Sequence, residues 1–431
     1  MKTFVYDEFN PEDIAMMQAL YSRSAESVEE HAKKVKQSGS GKFMERYYVN
    51  YGHASIADCG STTVFVEGVS ILVAKAIQDW PLYSGQETSS RYIDMSKREV
   101  INPVGIPASK KILDDWMRFY VESQPALEAH LRLKYPKKLD EDQSIYDKAI
   151  KARIFDTLRS FLPAGVTTQL SWHTNLRQAH DKLALLKYYP LLEVRHVAAD
   201  IRSKLNGKYA HSFSHKEYPD QETYRKYISE RYTYYLNPNQ NKFKASTTID
   251  NKELTRYKDV LEKRPPKTNL PLFLGELGNV TFEFLLDFGS FRDIQRHRNG
   301  VCRMPLLTTD FGFNEWYLSE LPKELREKAD KLISNQVKAI KTLKASKEEI
   351  QYYIAMGFNV TCKVSYGLPA TIYTMELRSG KLVHPTLRKI AHEMHAALKK
   401  MFPTLVLHAD LDQDDWDVRR GAQDIKEKSK I

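Results

Sequence analysis

Residues 61–92 read STTVFVEGVSILVAKAIQDWPLYSGQETSSRY, and their order decides the fold class. Ser61–Gly68 is rich in β-branched and aromatic residues, the composition of a strand, with Gly68 as its stop. Ser70 is a plausible N-cap for a helix over Ile71–Gln78, because Ile71, Ala74 and Ile77 share one face. Pro81 breaks the helix, and the polar cluster Glu87-Thr88-Ser89-Ser90-Arg91-Tyr92 follows in a loop. The order recurs far downstream. Asn279–Leu286 reads as a strand, Ser290–Arg296 as a helix, and Gln295-Arg296-His297-Arg298 as the polar cluster. Val64-Phe65-Val66 then stands opposite Phe282-Glu283-Phe284, a weak internal repeat.

Long helical segments follow each unit. In the first half they are 110–130, 145–160 and Trp172–Leu186. In the second they are Pro322–Lys344 and Pro385–Met401, where Pro385 suits a helix start because its missing amide costs little there. Between them, 214–270 is polar and rich in tyrosine, with breaks at Asn237–Asn241 and Lys263–Lys267. Tyr224, Tyr227, Tyr232, Tyr234 and Tyr235 could stack on bases, but packing onto the fold is the reading favoured here. The expected fold class is α+β: two similar halves, each a mostly antiparallel sheet flanked by helices, packed as a pseudo-dimer. The expected division is 1–213, a connector over 214–270, and 271–431.

The chain has 431 residues, 42% hydrophobic and 28% charged, which suits a water-soluble protein with a sizeable core. No apolar run is long enough to span a bilayer, and the first residues carry acids where an export signal needs a basic and then apolar stretch. Cys59, Cys302 and Cys362 are isolated, so neither a disulfide framework nor a metal site is expected and a reducing cytoplasm is the natural compartment. The net charge of +10 favours anionic partners, nucleotides or nucleic acid, although scattered lysines on a solvated surface explain most of it.

Arg296-His297-Arg298 sets two permanent cations around an imidazole. Guanidinium forks suit phosphate, but a basic helix end is also common for its dipole alone. In an extended loop Ser89 and Arg91 would point to one side and cradle a phosphate, with Glu87 accepting from a ribose hydroxyl or ordering the loop. A solvated loop with an Arg–Glu pair is the plainer alternative. His297, between two arginines, is expected to stay neutral. His173, His384, His392 and His395 read as structural.

Together the two clusters resemble the flavin-dependent thymidylate synthases. That family's signature runs Arg-His-Arg, a seven-residue gap and Ser, inside a stretch ending Glu-x-Ser-x-Arg-Tyr. Here Ser89 has Asp79-Trp80-Pro81 where Arg-His-Arg would stand, and Arg298 has Leu306 where the Ser would stand. Each half keeps one end of the motif. Gly52-His53-Ala54-Ser55 and Asn175-Leu176-Arg177 in the first half are similar to the family's flavin-facing segments. Met375-Glu376-Leu377-Arg378-Ser379 in the second is similar to the segment whose Arg meets the uracil ring.

The resemblance implies an FAD-dependent enzyme that methylates dUMP at C5 to dTMP, with methylenetetrahydrofolate as carbon donor and NADPH as reductant. It implies Glu87, Ser89, Ser90, Arg91 and Arg378 as substrate-binding residues, with Arg378 catalytic. His53, Ser55, Asn175, Arg177, Arg296, His297 and Arg298 would hold FAD. It also implies a homodimer of duplicated chains rebuilding a four-unit assembly. Two alternatives stay open: another uridine nucleotide or RNA uracil as substrate, and a nucleotide-binding protein without catalysis.

Overall fold

The chain divides into two compact units, and neither is a continuous stretch. A computed structural model describes residues 2–420. The first unit comprises residues 2–69, 73–87 and 168–233; the second comprises 70–72, 88–167 and 234–420. The connector 214–270 is therefore shared between them.

In the first unit, β1 (Ser61–Ser70) and β2 (Thr167–Asn175) form a two-stranded sheet. β1 runs through Gly68, which takes φ 69° rather than ending the strand. β2 overturns part of the expected helix Trp172–Leu186. Leu170, Trp172 and Thr174 are buried while Gln169 and His173 are exposed, a period-two pattern that only a strand satisfies. The helix starts at Leu176, where the Asn175 side chain accepts from the Gln178 amide at 2.8 Å. The expected packing of the connector tyrosines fails for Tyr224, Tyr227 and Tyr232, which lie exposed on the helix Pro219–Tyr232, an element with no buried residue.

The second unit carries a four-stranded antiparallel sheet in the order β3 (Lys244–Thr247), β4 (Asn279–Asp287), β6 (Asn359–Gly367), β5 (Gly300–Cys302). β3 comes from the connector. Val280, Phe282, Phe284 and Leu286 alternate into the core from β4, and Phe282 and Phe284 pair in register with Val364 and Cys362 of β6. The helices Leu368–Ser379 and Pro385–Met401 supply Ile372, Met375, Leu387, Met394 and Leu398, all buried. The expected helix over 110–130 is two, Pro107–Glu122 and Gln124–Lys134, because Ser123 caps the first and Pro125 opens the second.

Within this second unit two short segments pair reciprocally. The Ala164 amide donates to the Ile354 carbonyl at 2.9 Å, and the Met356 amide to the Leu162 carbonyl at 2.9 Å. Gly165 donates to Tyr352 at 3.1 Å and Gly357 to Ser160 at 2.7 Å. The Ile71 amide donates to Val166 at 3.1 Å, as the Phe288 amide does to Phe358 at 3.0 Å. Each bond has a mate in which the two segments exchange roles, the pattern of a local two-fold. A Cβ on Gly165 would sit 2.9 Å from the carbonyl oxygens of both Ile101 and Tyr352, so this approach of backbones requires glycine.

Candidate functional site

Arg91 lies in a turn, not in the extended loop expected from sequence. The Ser89 carbonyl accepts from the amides of Tyr92 and Ile93, and the Ser89 hydroxyl accepts from the Arg91 amide at 3.3 Å. These local bonds hold Ser89 and Arg91 in a turn rather than in extended backbone. The Arg91 guanidinium forks onto the buried Asp156, with Nε 2.7 Å from Oδ1 and Nη2 3.2 Å from Oδ2. Nη2 also donates to the Leu382 carbonyl at 3.2 Å. Ser90 is buried and accepts from Arg292 at 2.8 Å.

Arg296-His297-Arg298 follows the helix Phe288–Ile294, whose N-terminus is capped by Asp287 through the Ser290 amide at 2.8 Å. Arg296 keeps its side chain 53% exposed, with its nearest paired carboxylate, Asp293, 3.9 Å away. His297 is buried, and its Nε2 accepts from Arg378 Nε at 2.7 Å. An imidazole that accepts at Nε2 carries its proton on Nδ1 and is neutral. Burial, and then the neighbouring Arg378 charge, push its pKa down to about 3. Arg378 Nη2 donates to the Asp293 carbonyl at 2.7 Å, and burial draws the Arg378 guanidinium's pKa below the ordinary value.

These pieces converge on Asp293. Burial works against its charge most strongly, yet the fields of Arg91, Arg378, Arg159 and Arg296 hold its carboxyl below the usual range. Asp293 Oδ2 is buried with no hydrogen-bond partner among the described residues, and so is Arg159 Nε. Arg159 Nη2 donates to Ser290 at 3.0 Å, and Arg420 pairs with Asp156. Among the described residues of this cluster the guanidiniums of Arg91, Arg159, Arg292, Arg296, Arg378 and Arg420 outnumber the carboxyls of Asp156, Asp287 and Asp293, six to three. An excess of positive charge in a largely buried cluster is what an anion would neutralise.

Sequence reasoning missed Asp156, Arg159, Arg292, Asp293 and Arg420. One signal was present: Arg153, Asp156 and Arg159 fall among Ile154, Phe155, Leu158, Phe161 and Leu162. Charged residues inside a stretch that must be buried mark a polar network.

Other residues expected at the site belong to the first unit. Arg177 Nε pairs with Asp58 at 2.7 Å, and the Leu176 amide donates to the Gly60 carbonyl at 2.9 Å. Asp58 ends the helix Ala54–Asp58, so these bonds tie the segment of His53 and Ser55 to that of Asn175 and Arg177. His53 and Ser55 are exposed, and the His53 ring stands edge-on to Tyr47 and Tyr51. Glu87 does not pair with Arg91. Its side chain is buried against Lys75 at 2.9 Å and Gln78 at 2.8 Å.

With this geometry in place, the chain can be set beside known proteins. Residues 5–209 match the family described as thymidylate synthase complementing protein. The family resemblance is borne out over residues 5–209, which hold the first of the two clusters. Among its relatives, a UPF0159 protein of Chlamydia muridarum is 25% identical, covering 90% of this chain and 84% of that protein. One of Chlamydia pneumoniae is 24% identical, over 90% of this chain and 83% of its own length. UPF0159 protein Ta1429 of Thermoplasma acidophilum is 23% identical over 97% of this chain and 99% of its own. The similarity thus runs over most of the length of each relative. No helix among the described residues is long and apolar enough to cross a membrane.

Proposed function

We propose that the chain is an FAD-dependent thymidylate synthase that converts dUMP to dTMP, with methylenetetrahydrofolate supplying the carbon and NADPH the reducing equivalents. The observation that carries this reading is the meeting of Arg91 with Arg378 and Arg296 in the field of one carboxylate, Asp293. One motif fragment supplies the first and the other half of the chain supplies the rest. The reciprocal bonds around Ala164 and Met356 support a tandem duplication behind it. The two-part chain would act as a homodimer in the cytoplasm.

The donor set fits the flavin dinucleotide. Arg296 is half exposed and not saturated by Asp293, so its guanidinium can take a pyrophosphate oxygen. Arg298 and His297 flank it, and the family resemblance assigns His53, Ser55, Asn175 and Arg177 of the first unit to flavin as well. The flavin supplies hydride chemistry; the protein supplies charge and orientation. Arg378 hydrogen-bonds an imidazole and a carbonyl, neither of them anionic, and shares the one carboxylate facing it, Asp293, with three other arginines. It can therefore stabilise negative charge on a uracil ring, with Ser89, Ser90 and Arg91 toward the phosphate.

The test is the absorption spectrum of the purified protein. A yellow protein whose flavin bands shift on adding dUMP is expected, as is growth of a thymidine auxotroph carrying this chain. Protein that takes up no FAD on reconstitution sinks the reading. A second reading, uracil in RNA as the substrate, draws on the exposed Tyr224, Tyr227 and Tyr232, with Arg231 lying 4.2 Å over the Tyr227 ring. Auxotroph growth without thymidine would exclude a purely RNA role.

A further inference from the structure

The chain from Asp410 to Arg420 has no helix or strand, yet it is anchored at every few residues on the second unit. Lys381 holds Asp412 at 2.6 Å and Asp417 at 2.8 Å. The buried Arg153 holds Asp415 at 2.8 Å, and Trp416 stacks on Tyr135 with ring centres 4.3 Å apart. Anchors of different chemistry, ion pair and ring stack, define one path rather than a loose tail. The path ends by delivering Arg420, only 7% exposed, to the carboxylate of Asp156.

Asp156 already carries the fork of Arg91. One carboxylate thus sits between two guanidiniums, and it cancels the charge of only one. Arg159 adds a third cation to the same field. Asp156 holds the two guanidiniums side by side; Asp293 and Asp287 face Arg91 and Arg159, and the excess of guanidiniums over carboxyls across the whole cluster is what a phosphate dianion would neutralise. We propose that Arg420, carried by this strap, is a further phosphate-binding residue for a nucleoside monophosphate, acting with Arg91 on either side of Asp156. The proposal rests on the nucleotide reading above for the identity of the ligand, but the anion site stands on its own geometry.

The experiment is calorimetric titration of the full chain, wild type and Arg420→Gln, with dUMP, deoxyuridine and inorganic phosphate. Arg420→Gln should weaken dUMP and inorganic phosphate about tenfold or more, the effect of one charge-assisted contact, and leave deoxyuridine unchanged. Arg420→Lys, which keeps the charge, should recover part of the loss. A purely structural strap would instead lower deoxyuridine and dUMP together, which overturns the proposal. So does a variant that binds phosphate and dUMP as the wild type does, or a wild type that binds no phosphate. Binding of inorganic phosphate through Arg420 with no affinity for dUMP would uphold the anion site and sink the nucleotide reading.

Discussion

Arg378 donates from Nε to His297 Nε2 across 2.7 Å, so the imidazole must be neutral and the guanidinium keeps its full charge. The two residues lie far apart in sequence, yet they form one device: a cation oriented by a base that does not neutralise it. Replacing Arg378 with Gln should lower kcat about a hundredfold or more, the scale for removing a donor aimed at developing charge. Flavin binding should persist, since the flavin is assigned to other residues. Single-turnover kinetics with dUMP provide the measurement, and a rate within twofold of wild type would remove Arg378 from the chemistry.

Asp293 is the counter-charge for four arginines. Asp293→Asn should destabilise the fold by about 3 kcal/mol or more, because it leaves buried cations without their partner. The same change should make the protein more responsive to anions. Phosphate should recover more of the variant's thermal stability than it adds to the wild type's. Equal phosphate effects on both proteins would mean that Asp293 does not set the charge of the site.

Strand segments at 61–68 and 279–286 were legible because β-branched and aromatic residues crowd them. Trp172–Asn175 was not, because it runs straight into a true helix and its period-two pattern merges with the helical one. Arg91, Arg296, His297 and Arg378 were legible because they lie in motif fragments with fixed spacing. Asp156 and Asp293 were not, since a carboxylate between arginines on other segments acquires its meaning only when the chain closes. Arg420 was beyond reach for the same reason. Its role depends on the strap's path, and ion pairs such as Lys381 to Asp417 leave no periodic trace.

Acid should unfold the first unit early. The His180 and His215 rings lie with centres 4.1 Å apart, tilted by 35°, and burial is the main reason each pKa falls to about 4; Arg202 and Arg225 add to it for His180. The unfolded chain takes up these protons near pH 6.5. Between about 6.5 and 4 the unfolded state binds more protons, so stability is fully present above pH 6.5 and falls as pH drops. His297 adds to the slope in the second unit. Urea titrations from pH 7.5 to 4.5 should show this decline, and His180→Phe should flatten it. A midpoint independent of pH across that range would contradict the buried neutral pair.

The Lys75–Glu87 pair is a structural ion pair, with side chains 2% and 4% exposed and 2.9 Å apart. Charge burial of this kind is costly to break from one side. Lys75→Met should therefore lose about 3–5 kcal/mol, because Glu87 is left ionised without its main partner. Glu87→Gln in the Lys75→Met background should restore much of that loss, since an amide at that position can still accept from Gln78. Chemical denaturation of the two single variants and the double variant closes the cycle. If Glu87 instead contacts a ribose, Glu87→Gln alone should weaken dUMP binding at unchanged stability. The structural role predicts the reverse, a less stable protein whose remaining folded fraction binds dUMP as tightly as wild type.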